Sequence, residues 1–497
     1  MFKVLGAVRR RVSGVDRLLV HRSAGIPRSV VDPAMRGLSW SANHSKLWFA
    51  LAGGLVLRKG PSRRAALRGV AAIGATSAVT NLLAKRLLPR RRPATDLLPR
   101  HRRLISPPVS SSFPSGHAAS AAAFTTAVAL ESPLLGAAVL PVAAAVAYSR
   151  VHTGVHWPTD VAFGAAIGCG LGLATRWWWP VRPAAPGLAR PSEHVAALTD
   201  GHGLALLVNP SSGDADHDPS AALTDLWPAA KVLHPDPEAD LVEQLHRELD
   251  AAGEPIRALA VAGGDGTVAA AASAAAVRGL PLAVVPAGTL NHFARDLGVT
   301  SAQDSARALA AGSAVHVDLG SVTVDDRPER WFVNTASLGG YPDLVRLREK
   351  WEPRWGRWPA AAAALVRVLA EAEPIEVRID GTHRKIWLLF VGASGYQPKG
   401  FAPTWRPRLD DGVLDIRYIR ADLPLSRVRC TFAALTGALF NSRTYVQQEQ
   451  ESAHVEVLSE PLALACDGEV VEPGRNFRFT SRDEALRVYR PENSVTS

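Results

Sequence analysis

The chain has 497 residues, enough for two to four domains, and its 56 Lys and Arg residues against 46 Asp and Glu residues give a formal net charge of +10. This excess favours nucleic acid, anionic membranes or phosphorylated substrates as partners, and membrane is favoured over nucleic acid because much of the charge adjoins apolar runs. A disulfide framework or zinc site is excluded, and a reducing compartment is expected for the C-terminal half, because the cysteines are few and scattered: Cys169, Cys430 and Cys466. No stretch has the pattern of a secretory signal peptide.

Residues 1–40 form a basic segment in which apolar side chains recur at nearly helical spacing. The apolar positions are Phe2, Leu5, Val8, Val12, Val15 and Leu19. Two interpretations stay open: an amphipathic helix that lies on an anionic membrane, or a surface helix packed on its own domain.

Residues 41–180 are rich in Ala, Leu, Val and Gly, with long runs that carry few charges. Five runs are candidate membrane helices, although some are shorter than a spanning helix requires: 47–57, 65–84, 118–130, 134–148 and 161–175. Trp177, Trp178 and Trp179 at the end of the last run suit a membrane interface. The pattern predicts an all-α helical membrane bundle.

Charged residues cluster at the ends of these predicted helices, where they are costly and are therefore functional candidates. Lys85, Arg92 and Arg150 carry the charge that neutralises a phosphate group. The Ser115 hydroxyl and the Gly116 N–H add hydrogen-bond donors at a helix start.

Three further residues in this region supply reactive groups. His156 can attack phosphorus, and Asp160, four residues later, can orient its ring. His117 can protonate the departing alkoxide. In this arrangement the imidazole itself is the nucleophile, unlike the histidine of a serine-protease triad.

The patterns KxxxxxxRP from Lys85, PSGH from Pro114 and SRxxxxxHxxxD from Ser149 resemble the type 2 phosphatidic acid phosphatase superfamily. The resemblance implies a metal-independent phosphatase that works through a phosphohistidine intermediate and needs no cofactor. Other cations lie outside these patterns and are expected to be solvated or to face lipid headgroups: Arg86, Arg90, Arg91, Arg102 and Arg103. His152 falls in a variable gap and is expected to be a bystander.

Residues 181–201 are rich in Pro and Ala and are expected to form a semi-rigid linker. Strand-like and helix-like runs then alternate over residues 202–312, which predicts an open α/β lobe. Short β-like runs over residues 313–490, interrupted by one predicted helix at 358–372, indicate a second, mostly antiparallel β lobe.

A glycine-rich turn, VAGGDGT at 261–267, follows a predicted strand of the α/β lobe, and VPAGTLNHFARDLG at 285–298 follows the next. Strand, glycine-rich turn and helix together direct backbone N–H groups toward phosphate. Asp265 would repel phosphate unless a cation intervened, so it implies bound Mg²⁺. A tight turn in some other α/β domain is the alternative.

The order NPxSG from Asn209, GGDGT, PAGTxNxFAR and DGE at 467–469 resembles the diacylglycerol kinase catalytic family of lipid kinases. The resemblance implies ATP and Mg²⁺ as cofactors, Asp265 at the metal and Glu469 as general base. It also implies a set of ATP-binding residues: Asn209, Gly263, Gly264, Gly266, Thr267, Gly288, Thr289 and Asn291.

Two positions depart from this family's pattern and leave the nucleotide and lipid preference open: His292, where Asp is common, and Asp214, where a basic residue is common. The turn from Asp411 to Asp415 resembles a further acidic turn of the family, but a plain β-turn explains it as well. Between Arg346 and Trp358, cations alternate with indoles, which suits either docking on anionic headgroups or packing inside the domain.

The whole pattern predicts a bifunctional membrane enzyme whose partners are membrane lipids, lipid phosphates and ATP, with no nucleic acid. The alternatives are that only one half turns over and the other senses its ligand, or that the chain is a scaffold. Because ATP is cytoplasmic, we expect the kinase half in the cytoplasm and the phosphatase site on the other side of the cell membrane. The basic residues around Lys85 and Arg92 favour the reverse orientation by the positive-inside rule.

Overall fold

The computed structural model describes residues 2–58, 60–104, 108, 110–181, 185–193, 195–212, 219–236, 238–288, 291–355, 357–400, 404–435 and 438–492. The chain forms two compact units, Met1–Val181 and Arg182–Ser497.

The N-terminal unit is helical throughout its described secondary structure. Its helices are α1 (Phe2–Ala24), α2 (Val31–Ser41), α3 (Lys46–Val56), α4 (Pro61–Ala78), α5 (Lys85–Leu87), α6 (Gly116–Glu131), α7 (Pro133–His152) and α8 (Pro158–Trp178). A π-helical segment, Val79–Ala84, joins α4 to α5 without a break. Short 3₁₀ helices lie at Asn43–Ser45, Thr95–Leu97 and Arg100–Arg102.

All five runs predicted to be membrane helices are helical. In the described residues, Pro61–Leu87 and Pro133–His152 are long and apolar enough to cross a membrane by length and composition. Two such helices are weak evidence by themselves, since the core helix of a soluble protein passes the same test.

Helix α6 lies at the centre of this unit and contacts α4, α7 and α8. Small residues allow this close packing. A Cβ atom at Gly168 of α8 would lie 2.1 Å from the Ala119 carbonyl oxygen of α6, so only glycine fits there. At the end of the bundle remote from His117, Arg68 of α4 pairs with Glu131 of α6 at 2.7 Å.

Helix α1 packs on its own unit instead of standing apart from it. It contacts α7 and α8, and Asp16 and Val20 are buried. Arg102 donates to the carbonyl oxygens of Ser23 and Ile26, at 2.5 and 2.6 Å. These contacts favour the packed surface helix of the two interpretations; the side chains of residues 2–12 lie outside the described part of the chain.

The C-terminal unit is an α/β structure with a mixed sheet. Its strands are β1 (Pro191–Ser192), β2 (Leu204–Val208), β3 (Lys231–Leu233), β4 (Ala258–Gly263), β5 (Leu282–Pro286), β6 (Ala314–Val324), β7 (Arg330–Phe332), β8 (Thr335–Gly339), β9 (Ile375–Ile379), β10 (Thr382–Ala393), β11 (Leu414–Arg420), β12 (Tyr445–Gln450), β13 (Ser452–Val457), β14 (Leu462–Cys466), β15 (Glu469–Gly474) and β16 (Asn476–Tyr489). Its helices are α9 (Ser220–Leu226), α10 (Leu241–Asp250), α11 (Asp265–Arg278), α12 (His292–Leu297), α13 (Ala302–Ala311), α14 (Tyr341–Trp355), α15 (Arg357–Glu371) and α16 (Ser426–Leu435).

Strands β3, β2, β4 and β5 are parallel neighbours in that order. Alternate side chains of β2 enter two cores: Ala205 and Leu207 pack on one side of the sheet, and Leu204, Leu206 and Val208 on the other. Because both faces of this part of the sheet are buried, the strands are continuous apolar runs in the sequence.

The remaining strands pair mostly antiparallel, and β16 joins the two parts of the sheet. It is parallel to β5 at Val488–Leu282 and antiparallel to β6 and β13. The single helix predicted in this region, 358–372, corresponds to α15, but α14 and α16 also form. The prediction of one helix was wrong because the charged residues of α14 obscured the helical spacing of Tyr341, Leu344 and Arg348, which are buried.

The predicted linker at 181–201 contacts the C-terminal unit along much of its described length. Strand β1 pairs with β6, and the Gly187 N–H donates to the Asp296 carbonyl at 2.7 Å. Leu198 is buried, and its N–H donates to the Leu309 carbonyl at 2.8 Å. Backbone pairing of this kind makes the segment part of the C-terminal fold.

Candidate functional sites

The candidate residues of the N-terminal unit come together at one end of its helices. Ser115 caps the start of α6, and its N–H donates to the Asp160 carbonyl in the first turn of α8, at 3.0 Å. The Lys85 ammonium lies beside the same helix start, 3.9 Å from the position of a Cβ on Gly116. Arg150 is buried in the last turn of α7.

His156 lies in the turn between α7 and α8, and its tautomer follows from its contacts. Nδ1 is 2.6 Å from the Ser112 carbonyl oxygen, which only accepts, so Nδ1 carries the proton and Nε2 keeps its lone pair. Nε2 lies 3.4 Å from an Arg92 guanidinium nitrogen. Burial, helped by Arg150 and Arg92 and opposed by Asp160, lowers the pKa of His156 to about 4. The ring is therefore neutral near pH 7.

Asp160 does not touch His156 at hydrogen-bond distance, since its nearest oxygen is 3.7 Å from Nδ1. It accepts instead from the Ser112 hydroxyl at 2.8 Å and from the Trp157 N–H at 2.9 Å. Ser112, which the sequence analysis missed, thus holds Asp160 with its side chain and His156 with its carbonyl. The only sequence signal was the serine-rich run before PSGH.

Arg90 is not a solvated charge, so that expectation was wrong. Its guanidinium bridges two buried carboxylates, Asp160 at 2.7 Å and Asp16 of α1 at 2.6 Å. Asp16 also accepts from Thr159, from its N–H at 3.0 Å and its hydroxyl at 2.7 Å. Helix α1 is therefore bonded to the start of α8, next to Asp160.

Arg102 is not solvated either, so that expectation was also wrong. It meets the buried carboxylate of Asp32 at 2.8 Å, as does His152. The Ser29 N–H, His152 and Arg102 together lower the pKa of Asp32 to about 2, although burial opposes them. This cluster joins α2 to α7 and is structural.

Arg92, Arg150 and His117 make hydrogen bonds to backbone carbonyls or to polar side chains. Arg92 donates to the carbonyl oxygens of Ser110 at 3.0 Å and Val155 at 2.5 Å. Arg150 is hydrogen-bonded to Ser39, while its buried Nε has no partner among the described residues. His117 Nε2 is 2.9 Å from the Asn43 side-chain oxygen, so Asn43 orients that ring.

In the C-terminal unit, the candidate turns follow β2, β4 and β5. Because these strands are adjacent and parallel, their ends meet at one edge of the sheet. Asn209 donates to the Thr267 hydroxyl at 3.0 Å, and the Gly264 N–H donates to Ser212 at 3.0 Å. A Cβ at Gly288 would lie 2.7 Å from the Gly264 Cα, so this contact between turns requires glycine.

Asn291 makes two hydrogen bonds to Gly288 across the turn that follows β5. Its side chain accepts from the Gly288 N–H at 2.9 Å and donates to the Gly288 carbonyl at 2.6 Å. A Cβ at Gly263 would lie 2.7 Å from Thr267, whereas one at Gly266 would meet nothing within 4 Å. Contacts within the described chain therefore explain why position 263 needs glycine, but they do not explain glycine at position 266. Thr289 and Asp214 lie outside the described residues.

Asp265 begins α11, and its carboxylate accepts from the His292 N–H at the start of α12, at 2.9 Å. Burial raises the pKa of Asp265, and the His292 N–H opposes that shift. A half-buried carboxylate can bind a cation, which adds positive charge beside it. Among the described residues, no group of three or more His, Cys, Asp and Glu side chains forms a metal cage.

Glu469 is exposed at the start of β15, and its side chain makes no hydrogen bond or ion pair within the described chain. Its neighbour Asp467 holds the turn in place. The Asp467 carboxylate accepts from the N–H groups of Val333, Asn334 and Thr335 at 2.7 to 2.9 Å, and burial raises its pKa to about 6. Asp467 therefore fixes the position of Glu469 and was missed as a site residue.

Arg406 connects helix α12, which follows the second glycine-rich turn, to the residues that Asp467 holds. The sequence analysis did not single it out. It is fully buried and pairs with Asp296 of α12 at 3.0 Å. It also donates to the Val333 carbonyl at 2.7 Å, next to the residues that Asp467 holds.

Two stretches left open by the sequence take structural roles where the chain is described. Asp411 accepts from the Gly395 N–H at 2.9 Å, and Asp415 is paired with Arg417, which fits a structural turn. In α14, Arg348 is buried and Trp351 packs against an apolar cluster, which favours packing for these residues. The side chains of Trp355 and Trp358 lie outside the described part.

Comparison with known proteins gives two family matches. The model of the PAP2 superfamily matches residues 65–184, and the model of the diacylglycerol kinase catalytic domain matches residues 203–322. The chain is 31% identical over 266 residues to a probable lipid kinase YegS-like of Pseudomonas fluorescens, covering 52% of this chain and 84% of that protein. It is 29% identical over 245 residues to a diacylglycerol kinase of Mycobacterium tuberculosis, covering 48% and 77%.

Solved structures align with each half. A putative diacylglycerol kinase from Bacillus anthracis aligns at 22% identity and a TM-score of 0.46, over 59% of this chain and 99% of that one. A transmembrane PAP2 type phosphatidylglycerolphosphate phosphatase from Bacillus subtilis aligns at 22% identity and a TM-score of 0.29, over 35% and 90%.

Proposed function

We propose that the chain is a bifunctional membrane enzyme, because it belongs to the diacylglycerol kinase catalytic family and also carries a PAP2 superfamily domain. Its N-terminal half removes phosphate from a lipid phosphate, and its C-terminal half transfers phosphate from ATP to a lipid alcohol. Diacylglycerol is the first candidate alcohol, with sphingoid and polyprenyl alcohols as alternatives. The single observation that best supports the reaction is the His156 tautomer, which leaves Nε2 free as a nucleophile beside Arg92.

In the phosphatase step, Lys85, Arg92 and Arg150 neutralise the phosphate oxygens, and Ser115 and the Gly116 N–H donate to them. His156 Nε2 forms a bond to phosphorus as the bond from phosphorus to the lipid oxygen breaks. The Ser112 carbonyl oxygen accepts a hydrogen bond from Nδ1–H, which stabilises the positive charge that the ring gains.

Proton transfer completes that cycle. His117 donates a proton to the departing alkoxide and then takes one from the water that attacks phosphohistidine. Water supplies the oxygen that leaves with inorganic phosphate, and His156 Nε2 regains its lone pair. No cofactor is needed, because the cations that offset the phosphate charge are side chains.

In the kinase step, Gly263, Gly264, Gly266, Thr267, Gly288, Thr289, Asn291 and Asn209 surround the ATP phosphates. The open space beside Gly266 supports close approach of a ligand there. Asp265 would hold Mg²⁺, with water and phosphate oxygens as the other ligands. When bound, Mg²⁺ would neutralise charge on the phosphates.

Glu469 accepts the proton of the lipid hydroxyl as that oxygen attacks the γ-phosphorus, and ADP leaves. Its exposure leaves the carboxylate accessible to a lipid, and Asp467 fixes its turn. Phosphoryl transfer depends mainly on positioning and charge neutralisation, so one base on a fixed turn is sufficient.

The helix directions support a site that opens on one membrane face. Ser115 and Asp160 lie at the starts of α6 and α8, while Glu131 and Thr175 lie near their other ends, where both residues contact Arg68. If α8 crosses the membrane, residues that follow it start on the face opposite the phosphatase site. Access to ATP then makes that face cytoplasmic and the phosphatase site extracytoplasmic.

Purified full-length protein in lipid vesicles tests both activities. For the kinase, a panel of diacylglycerol, sphingoid and polyprenyl alcohols is incubated with labelled ATP, and labelled lipid is measured. For the phosphatase, a lipid phosphate labelled on phosphorus is added and the reaction is quenched with base, because phosphohistidine is labile to acid. We expect label on His156; label on no histidine would contradict the mechanism, and no labelled lipid with any alcohol would contradict the kinase.

A further inference from the structure

Exposed apolar side chains lie on helix α16 of the C-terminal unit and on the residues next to it. Nine large apolar side chains are exposed in the described part of this unit, and four of them fall between residues 425 and 440. They are Leu425 at 72%, Val428 at 61%, Phe432 at 69% and Phe440 at 48% exposure. Such clustering, in contrast to single exposed residues, marks an interaction surface.

The spacing places two of these side chains on one side of the helix. Val428 and Phe432 are four residues apart within α16, which aligns them along one face, and Leu425 directly precedes the helix. The opposite face is already used, because Cys430, Ala433 and Ala434 are buried in a core that includes residues of α15. Helix α16 is therefore apolar toward the domain and toward the outside.

Positive charge borders the outer face. Arg429 and Arg443 are exposed and form no ion pair within the described residues, whereas Asp422 is already paired with Arg420 at 2.8 Å. Arg427 lies over the Trp387 ring, 4.5 Å from its centre, and donates to the Ala372 carbonyl at 2.9 Å. The charge around the apolar face is thus unbalanced and complements an anionic surface.

We propose that this face, named the α16 face and made of Leu425, Val428, Phe432, Phe440, Arg429 and Arg443, docks the kinase half on the anionic surface of a lipid bilayer. An apolar stripe flanked by arginines has the composition of an interfacial membrane helix. The proposal rests on the proposed lipid kinase function, since a lipid substrate must be taken from a bilayer. It assigns membrane docking to α16, whereas Arg348 and Trp351 of α14 pack inward.

A membrane fits the α16 face better than a second copy of the chain. A stable dimer buries about 800 Å² on each partner with a broad apolar centre. Four side chains of α16 and its surroundings offer a narrow stripe, and their unpaired arginines would repel the same arginines on a symmetry-related copy.

The first experiment measures insertion and does not require kinase turnover. Full-length Phe432→Cys is labelled with an environment-sensitive dye, after Cys169, the exposed native cysteine, is replaced by Ser. Cys430 and Cys466 are buried, which keeps the dye from reaching either thiol in the folded chain. Val277→Cys, 58% exposed on α11, is the matched control.

We expect the dye at position 432, but not at position 277, to shift to the blue in vesicles that contain phosphatidylglycerol and to be quenched by brominated lipid. An aqueous spectrum at position 432 in those vesicles would overturn the proposal. So would a blue shift in detergent that grows with protein concentration, because a second copy would then cover the face.

The second experiment measures function with Val428→Asp/Phe432→Asp and the control Val277→Asp. Loss of two apolar anchors predicts an apparent KM for bilayer-presented lipid alcohol that is about tenfold higher or more. The rate with a short-chain, water-soluble alcohol should not change, and the control should match wild type. Equal loss on both substrates would refute docking, whereas a wild-type chain inactive on every alcohol would refute the kinase function and leave the insertion result to decide the docking.

Discussion

In the N-terminal unit, the candidate phosphate ligands are the cationic side chains of Lys85, Arg92 and Arg150. In the C-terminal unit, they are the backbone groups of glycine-rich turns around one carboxylate, Asp265. The first arrangement brings its own positive charge to phosphate, while the second brings a negative charge and depends on an added cation. The two candidate sites thus differ in the source of the charge that would offset a phosphate group.

The two sites also differ in how their reactive residues are supported. His156 is buried and held by Ser112, behind which lie Asp160, Arg90 and Asp16. Glu469 is exposed, and Asp467 fixes the turn that precedes it. We therefore expect substitutions at Asp160, Arg90 and Asp16 to lower phosphatase activity. Kinase activity should depend more on the glycine-rich turns and on the turn that Asp467 fixes.

The largest expected effect is a separation of the two activities by single substitutions. His156→Asn should lower phosphatase kcat by about a thousandfold or more and leave the kinase unchanged, because the nucleophile is lost. Asp265→Asn should do the reverse. Both activities are measured on one preparation of each variant, and a full phosphatase rate in His156→Asn would refute the nucleophile assignment.

Removal of divalent metal should have the next largest effect. EDTA should abolish kinase activity, because Asp265 then faces the ATP phosphates without a cation. Phosphatase activity should persist, because three side-chain cations serve that purpose. Restoration by added Mg²⁺ is the control, and loss of both activities would contradict the comparison between the sites.

Breaking the support behind the phosphatase site should have an intermediate effect. Arg90→Ala removes the bridge between Asp16 and Asp160, and loss of such outer partners costs about tenfold to a hundredfold in activity. We expect the loss in kcat, with KM nearly unchanged, since Arg90 is bonded to carboxylates and belongs to none of the phosphate-binding groups.

The neighbouring Arg91 supplies a matched control for that substitution. It is exposed, and its side chain makes no hydrogen bond within the described residues. Arg91→Ala should therefore behave as wild type. An equal loss in both variants, or a loss of kinase activity with Arg90→Ala, would argue against a specific support role.

A stability effect confined to the C-terminal unit is expected from Arg406→Met. The substitution leaves Asp296 buried without its partner, which costs about 3–5 kcal/mol of folding free energy. Thermal inactivation of the kinase should occur at lower temperature, while phosphatase inactivation should not move. Arg408→Met is the control, because its pair with Asp410 is half exposed and such pairs contribute about 0–1 kcal/mol.

The smallest expected effect is a difference in how readily a thiol reagent reaches two introduced cysteines, with no change in either enzymatic rate. Single cysteines at Arg100 and Ser459, both exposed, report the two sides of the membrane. An impermeant thiol reagent added to intact cells should label Arg100→Cys and not Ser459→Cys. The opposite pattern would place the kinase outside and refute the proposed topology.

Much of the architecture follows from local patterns. The apolar runs of the N-terminal half are helical, the runs such as 204–208 and 258–262 lie in strands, and glycine-rich turns connect β4 to α11 and β5 to the segment before α12. Each of these features depends on residues near one another in the chain, through hydrophobic spacing and glycine geometry. The two family matches follow from the same local motifs.

The supports of both sites were decided only by tertiary packing. Arg90 meets Asp16 across 74 positions of sequence, and Arg406 meets Asp296 across 110. Nothing in the local pattern distinguishes Arg90 from Arg91, because a charge is solvated or paired according to which helix end packs beside it. The same holds for Asp160, which the motif places near His156 but whose hydrogen bonds go to Ser112 and Trp157. The sequence thus determined which groups can react, and the packing of distant segments determined what holds them.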